Sequence, residues 1–329
     1  MKLLPWQQAD WHQLAHGFER LPGALLLAGP QGIGKDRFAR FLAQSLLCEQ
    51  PLADHAACGE CEACRWFAAG NHPDYRYLAP ENREDDKGAR RLAQIKIEAI
   101  RDMIDFAQLT AHRGGRRVIV LEPAEALNLA AANALLKILE EPPEDVHFIL
   151  VAHRPRRLLP TLLSRCRTLV LTPPDAGQAL EWLTANGVAD AGQELAHAGG
   201  APFALTEPER IPLRERLIDT LAHPDAGQIL AVTAELDRAR LALAEPLDWL
   251  RKWLHDLMSV TLAGPVRYHP ERQAELSRLA GRTDAARLVR FDRELLERVP
   301  FGQHTLNVRL QLEALLFDYQ SLFAAARAA

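Results

Sequence analysis

The chain is 329 residues long, 25% charged and 48% apolar, with 39 Lys plus Arg against 43 Asp plus Glu. That length accommodates about two domains of roughly 150 residues, or three smaller ones. The net charge of −4 excludes a globally basic nucleic-acid binder, so any DNA contact has to be local. Met1–Trp6 shows no apolar leader and no segment approaches the ~20 apolar residues of a membrane span, which sets the expectation of a cytoplasmic, non-membrane protein.

In chain order, Ala24-Leu25-Leu26-Leu27-Ala28 reads as a buried strand. It runs into Gly29-Pro30-Gln31-Gly32-Ile33-Gly34-Lys35, a phosphate-binding loop, and then into the helix-patterned stretch Arg37–Leu47. Strand, loop and helix in that order separate a P-loop from a chance string. A cysteine-rich insertion follows, then a polar, loop-like stretch from Asn71 to Gly88. Residues from Ile95 to Leu109 have helical periodicity, broken at Gly114-Gly115. Val118–Leu121 is a second strand, and Ala124–Glu141 a helix stopped by Pro142-Pro143, since proline cannot continue the hydrogen-bond ladder. Val146–Val151 is a third strand, a short helix leads to Arg165, and Thr168–Leu171 is a fourth. Continuous apolar strands alternating with helices predict an α/β fold with a parallel sheet covered on both faces. After Thr172 the strands cease. Short helices with breaks at Gly187, Gly192 and Gly199-Gly200 extend to Glu207. Everything beyond is helix-patterned, with Trp249, Leu250, Trp253, Leu254 and Leu257 as a core stripe and Leu306–Ala328 as a last helix.

In a working P-loop the backbone N–H groups close around phosphates, lysine reaches the outer phosphates, and a Ser or Thr hydroxyl holds Mg²⁺. Here the hydroxyl position is Asp36. A carboxylate about 4 Å from a phosphate costs about 4 kcal/mol at an effective dielectric of 20 unless Mg²⁺ intervenes. The second metal-binding carboxylate falls on Glu122, but Pro123 replaces the residue that orients water. Glu125 is the alternative base, but beyond the proline and at a helix start it is read first as complementing the helix dipole. Ala152-His153 stands where a γ-phosphate sensor Thr or Asn belongs, and His153 is expected to be an exposed loop residue. These departures predict a catalytically dead nucleotide site.

Four of the five cysteines, Cys48, Cys58, Cys61 and Cys64, are spaced C-x9-C-x2-C-x2-C. An iron–sulfur site lacks its C-x3-C-P continuation, and a redox dithiol leaves two thiols unused. Structural Zn²⁺ in closed tetrahedral coordination takes all four. Cys166 is left over as a non-ligand.

Asn133-Ala134-Leu135-Leu136-Lys137-Ile138-Leu139-Glu140-Glu141-Pro142-Pro143, followed by Leu163-Ser164-Arg165-Cys166-Arg167, resembles the bacterial clamp-loader branch of the AAA+ ATPases. The cysteine insertion behind the P-loop helix, the Pro5-Trp6 start and the Cys64…His72-Pro73-Asp74-Tyr75 run match it too. The resemblance is dense in motifs from Trp6 to about Val170 and architectural beyond. It implies an AAA+ RecA-like α/β domain with a Cys₄ zinc module over residues 1–171, a small helical lid over 172–207 and an all-α collar over 208–329. It also implies a hetero-pentameric ring with motor subunits of the gamma/tau type and a clamp-opening delta subunit. Primed DNA would be met through the complex, and the sliding clamp at most indirectly. Within that branch the intact cysteines and defective ATP site resemble the non-motor, stator type, whose Ser164-Arg165-Cys166 motif makes Arg165 an arginine finger acting in trans on a neighbour's ATP. The superfamily's lid arginine falls on Pro202, a further loss; retained Gly29, Gly32, Gly34 and Lys35 leave weak nucleotide binding open. Two other functions compete. An active motor subunit is opposed by Asp36, Glu122 and Pro123. A zinc DNA-binding protein is opposed by Glu49, Asp54, Glu60 and Glu62 in a module without Lys or Arg. Arg113-Gly114-Gly115-Arg116-Arg117 is read equally as a DNA-phosphate contact or a solvated turn.

Overall fold

The computed structural model describes residues 2–80, 94–112, 115–298 and 308–324. Packing divides the chain into two compact units. One takes in the described residues of Met1–Asn82 and Ala93–Glu181 together with Ala201–Ala204; the other takes in Trp182–Gly200 and the described residues of Leu205–Ala329.

The first unit is a five-stranded parallel sheet made of β1 (Ala24–Ala28), β2 (Tyr75–Leu78), β3 (Arg117–Leu121), β4 (Val146–Ala152) and β5 (Arg167–Val170), ordered β2-β3-β4-β1-β5. Its helices are α1 (Gln8–Ala15), α2 (Lys35–Leu47), α3 (Glu62–Ala68), α4 (Ile97–Gln108), α5 (Leu129–Glu140) and α6 (Pro160–Leu163). Because successive strand side chains point to opposite faces, Leu25, Leu27, Val118, Val120, Ile149 and Val151 pack with Trp11, Phe38 and Leu42 on one side. Leu26, Ile119, Leu121, Phe148 and Leu150 pack with Ile100, Leu135 and Leu139 on the other. Each fully buried side chain of this size is worth about 1.5–3 kcal/mol of transfer free energy.

Two sequence expectations change here. Within the stretch expected to be a polar loop, Tyr75–Leu78 forms an edge strand parallel to β3; residues 81–93 lie outside the described residues. Tyr-Arg-Tyr-Leu carries too little apolar signal to stand out, yet Tyr75 packs on Phe67 with ring centroids 4.7 Å apart. The helix expected from Ala124 begins only at Leu129. Asn128 caps it by accepting from the Ala131 N–H at 2.8 Å, and Ala124–Ala126 is a separate 3₁₀ turn.

The second unit holds α8 (Ala191–His197), α9 (Ile211–Ala222), α10 (Ala226–Arg238), α11 (Ala244–Thr261), α12 (Gln273–Ala280), α13 (Ala285–Arg298) and α14 (Val308–Ser321), while α7 (Ala176–Ala185) precedes α8 in the chain. The expected last helix is present over Val308–Ser321; its outer ends fall outside the described residues. Trp249, Leu250, Trp253, Leu254 and Leu257 are all buried, as their spacing predicts, and Trp253 Nε1 donates to the Tyr319 hydroxyl at 2.7 Å. Among the described residues no helix is long and apolar enough to cross a membrane.

Candidate functional site

The P-loop leaves β1 and enters α2 through Gly29, Gly32 and Gly34, all at positive φ. Its surroundings are its own chain. Trp6 Nε1 donates to the Ile33 carbonyl at 3.0 Å, Gln7 Nε2 to the Gly34 carbonyl at 2.7 Å, and the Phe203 N–H to the Gly32 carbonyl at 2.9 Å. A Cβ on Gly32 would meet the Ala204 Cβ at 2.6 Å, and one on Gly34 would meet Leu4 Cδ1 at 2.4 Å. Lys35 is 2% exposed, and its ammonium donates to the carbonyls of Gly29, at 2.9 Å, and Pro30. Burial lowers its pKa to about 8 against the opposing pull of Glu122, Glu125 and Asp36.

The carboxylates beside this loop are also engaged. Glu122, at the end of β3, accepts from the Tyr77 hydroxyl at 3.0 Å, and burial raises its pKa despite that bond. Glu125 stands in the 3₁₀ turn rather than at a helix start, and its Oε1 accepts from the backbone N–H groups of His153 and Arg154 at 2.9 and 2.8 Å. It therefore pins the loop after β4, a role that neither sequence reading of Glu125 included. His153 is half-buried rather than exposed, and burial is the main cause holding its imidazole below the ordinary range. Pro123 and Pro202 offer neither charge nor proton donor. In this cluster Lys35 is a buried cation held by the loop's carbonyls, while Glu122 and Glu125 are committed to other donors.

The insertion brings Cys48, Cys58, Cys61 and Cys64 together, with all four sulfurs within 4.8 Å of one another. Sulfur–sulfur separations of 3.6, 3.9 and 4.0 Å match the ~3.8 Å edge of a tetrahedron built on Zn–S bonds of about 2.3 Å. Backbone N–H groups of Cys58, Cys61, Glu60 and Cys64 point at the sulfurs within 3.4 Å. Those from Cys61 and Glu60 lower the Cys58 thiol to about 7, whereas burial raises Cys48 and Cys64, so the sulfur geometry rather than thiol acidity points to a metal. The donor set fits one tetrahedral ion. The Ala57 N–H bond to Ser45 Oγ ties the insertion to α2.

Ser164, Arg165 and Cys166 follow α6. Arg165 contacts the Glu140 carboxylate through Nη2, donates to the Thr161 carbonyl through Nη1, and keeps 28% of its side chain in solvent. Cys166 is a core residue whose thiol is raised to about 11 by burial.

A sequence profile described as "DNA polymerase III, delta subunit" matches residues 7–175, and one described as "DNA polymerase III, delta subunit, C terminal" matches residues 208–321. DNA polymerase III subunit delta' of Pseudomonas aeruginosa is 37% identical, covering 97% of this chain and 98% of that protein. The chain belongs to the DNA polymerase III delta' family. Subunit delta' of Escherichia coli is 36% identical over 78% of this chain and 77% of its own, and subunit tau of the same organism is 36% identical over 50% of this chain and 24% of tau.

Within this delta' family member the basic Arg113–Arg117 run resolves unevenly. Arg117 is no surface group: 4% exposed, it pairs with Asp74 at 3.2 Å and donates to the carbonyls of Phe106, Leu109 and Thr110. Arg116 lies over the Phe18 ring and near Glu19, while Arg113 and Gly114 fall outside the described residues. The chain also carries a buried polar network that periodicity does not reveal. Asp256 accepts from the N–H groups of Arg267, Tyr268 and His269 and pairs with the His269 ring at 3.0 Å. Beside it, His197 meets Glu271 at 3.0 Å, and Arg214 grips Glu194 through both terminal nitrogens. The only sequence signal was a scatter of charged residues within apolar helices.

Proposed function

We propose that this chain is a non-catalytic, stator-type clamp-loader subunit. It supports ATP-dependent loading of a sliding clamp onto primed DNA and supplies Arg165 to the nucleotide of a neighbouring motor subunit. The observation that carries the non-catalytic part is the P-loop itself. The lysine that would reach the outer phosphates is bonded instead to the carbonyls of Gly29 and Pro30. Asp36 puts a carboxylate where a hydroxyl would hold Mg²⁺, and Pro123 and Pro202 supply no group that orients water or stabilises the γ-phosphate. The domain plan goes with that role: an α/β domain over 1–171, a lid over 172–207 and a helical collar over 208–329. The ring would hold gamma/tau-type and delta subunits within a DNA polymerase holoenzyme in the cytoplasm. Cys48, Cys58, Cys61 and Cys64 would hold a structural Zn²⁺, which closes the insertion and leaves no coordination position open for chemistry.

The role of Arg165 rests on its motif, its partial exposure and a permanent charge whose fork matches phosphate oxygens. In a complex reconstituted with motor and clamp-opening subunits, Arg165→Ala should lower DNA-stimulated ATP hydrolysis on the order of tenfold or more while the complex still assembles. Unchanged hydrolysis would reject the finger. The isolated chain should show no ATP turnover, and turnover by it alone would favour the motor reading instead.

A further inference from the structure

Arg165 is held by its own chain from two directions. Glu140, the last residue of α5, contacts its Nη2, and the Thr161 carbonyl in α6 accepts from Nη1 at 3.0 Å. The Ser164 hydroxyl donates to the same carbonyl at 3.0 Å, and the buried Cys166 anchors the chain immediately after Arg165. Nε is buried without an acceptor among the described residues. A guanidinium carries five N–H donors in one plane, two on each terminal nitrogen. One contact on each terminal nitrogen therefore leaves a second N–H on each as a donor.

Glu140 is poorly placed for its own helix. The last turn of a helix presents carbonyl oxygens and the negative end of the macrodipole, where a cation is favoured and a carboxylate is not. Glu141 repeats the misplacement at the C-cap. A local rule broken twice at one helix end calls for a compensating partner, and for Glu140 that partner is Arg165. The carboxylate is 54% exposed, so the pair adds little to folding stability. Its consequence is orientation.

We propose that Glu140 is a positioning residue for Arg165. Its carboxylate and the Thr161 carbonyl fix the guanidinium plane before a phosphate arrives, so a neighbour's nucleotide meets a donor that has already lost its side-chain freedom. The proposal rests on the reading of Arg165 as an arginine acting in trans. It is specific to the carboxyl oxygen as an acceptor; the charge of Glu140 opposes the positive field that Arg165 offers to phosphate.

The test uses the reconstituted complex containing wild-type chain, Glu140→Ala, Glu140→Gln or Arg165→Ala, with ATP hydrolysis measured to saturation on primed DNA with the clamp present. Glu140→Ala should lower kcat about three- to tenfold with KM for ATP little changed, the pattern of a group misaligned in the transition state. Glu140→Gln, whose amide oxygen still accepts, should restore most of the rate, and the unfolding midpoint of both variants should match wild type. If Arg165→Ala has no effect, the in-trans reading fails and the positioning role falls with it. If Arg165→Ala lowers kcat but Glu140→Ala leaves it unchanged or raises it, Arg165 keeps its role and Glu140 loses this one. Equal loss in Gln and Ala also overturns the proposal, because charge and not the acceptor would then matter.

Discussion

Asp74 and Arg117 meet in the interior of the first unit, 2% and 4% exposed. The aspartate also accepts from the His112 N–H at 2.9 Å, so one carboxylate fixes both the start of β3 and the turn before it. Removing one partner of a buried, hydrogen-bonded pair strands the other charge, which typically costs about 3–5 kcal/mol. Asp74→Ala should therefore lower denaturant-unfolding free energy by about 3 kcal/mol; a loss below about 1 kcal/mol would mean that Arg117 is held by the three carbonyls alone. The sequence marked His72-Pro73-Asp74 as part of a family pattern and Arg117 as one of a basic run, but gave no sign that the two touch. Forty-three residues separate them, and only the pairing of β2 with β3 brings them together. Glu125 teaches the same lesson. As a residue type it suits a catalytic base, yet its oxygen is committed to two backbone N–H groups twenty-eight and twenty-nine residues away.

Among elements, the P-loop and the cysteine insertion were the most legible. Glycines at fixed offsets and Cys-x2-Cys turns encode local backbone geometry, and local geometry is what a sequence specifies most directly. The insertion runs from the C-cap of α2 into α3, where Cys61 serves as N-cap by accepting from the Cys64 N–H. Metal analysis should find one zinc per chain. Cys58→Ser or Cys61→Ser should abolish it, because three thiolates leave the tetrahedral site open to water and weaken binding; iron, or wild-type chain without metal, would contradict the assignment. The edge strand β2 was illegible for the opposite reason. Four residues, the outer two half-buried and the inner two exposed, carry no alternating signal, and their strand conformation is imposed by hydrogen bonds to β3. The early start assigned to α5 failed because apolar periodicity continues through Ala124–Ala126, while the Asn128 cap decides where the helix begins.

At the scale of the whole chain, each unit has its own means of fixing buried charge, and this has a pH consequence. Burial holds His269 below its ordinary value of about 6.5, with neighbouring His197 acting in the same direction and Asp256 and Glu271 opposing. The folded state thus favours a neutral ring that donates to the ionised Asp256, whose own pKa is lowered by that bond and by backbone N–H groups despite burial. Unfolding then takes up a proton between the folded pKa and about 6.5, so this contribution to stability is complete above pH 6.5 and is lost as pH falls below it. His147 and His153 in the first unit, also lowered chiefly by burial, act in the same sense. Unfolding free energy should decline from pH 7 to pH 5, and His269→Gln should flatten part of that slope; an unchanged slope would remove His269 from the account.

The sequence by itself determined the alternation of strand and helix, the phosphate loop and its altered residues, the four cysteines as one set, and the family to which the chain belongs. All of these reside in short-range spacing or in residue identity. Only the tertiary structure decided which groups the loop's carbonyls hold, which carboxylates are occupied, that Arg117 faces inward and that Glu140 meets Arg165. Those contacts join residues far apart in the chain, and whether a polar group is free or engaged depends on the burial and partners that folding supplies.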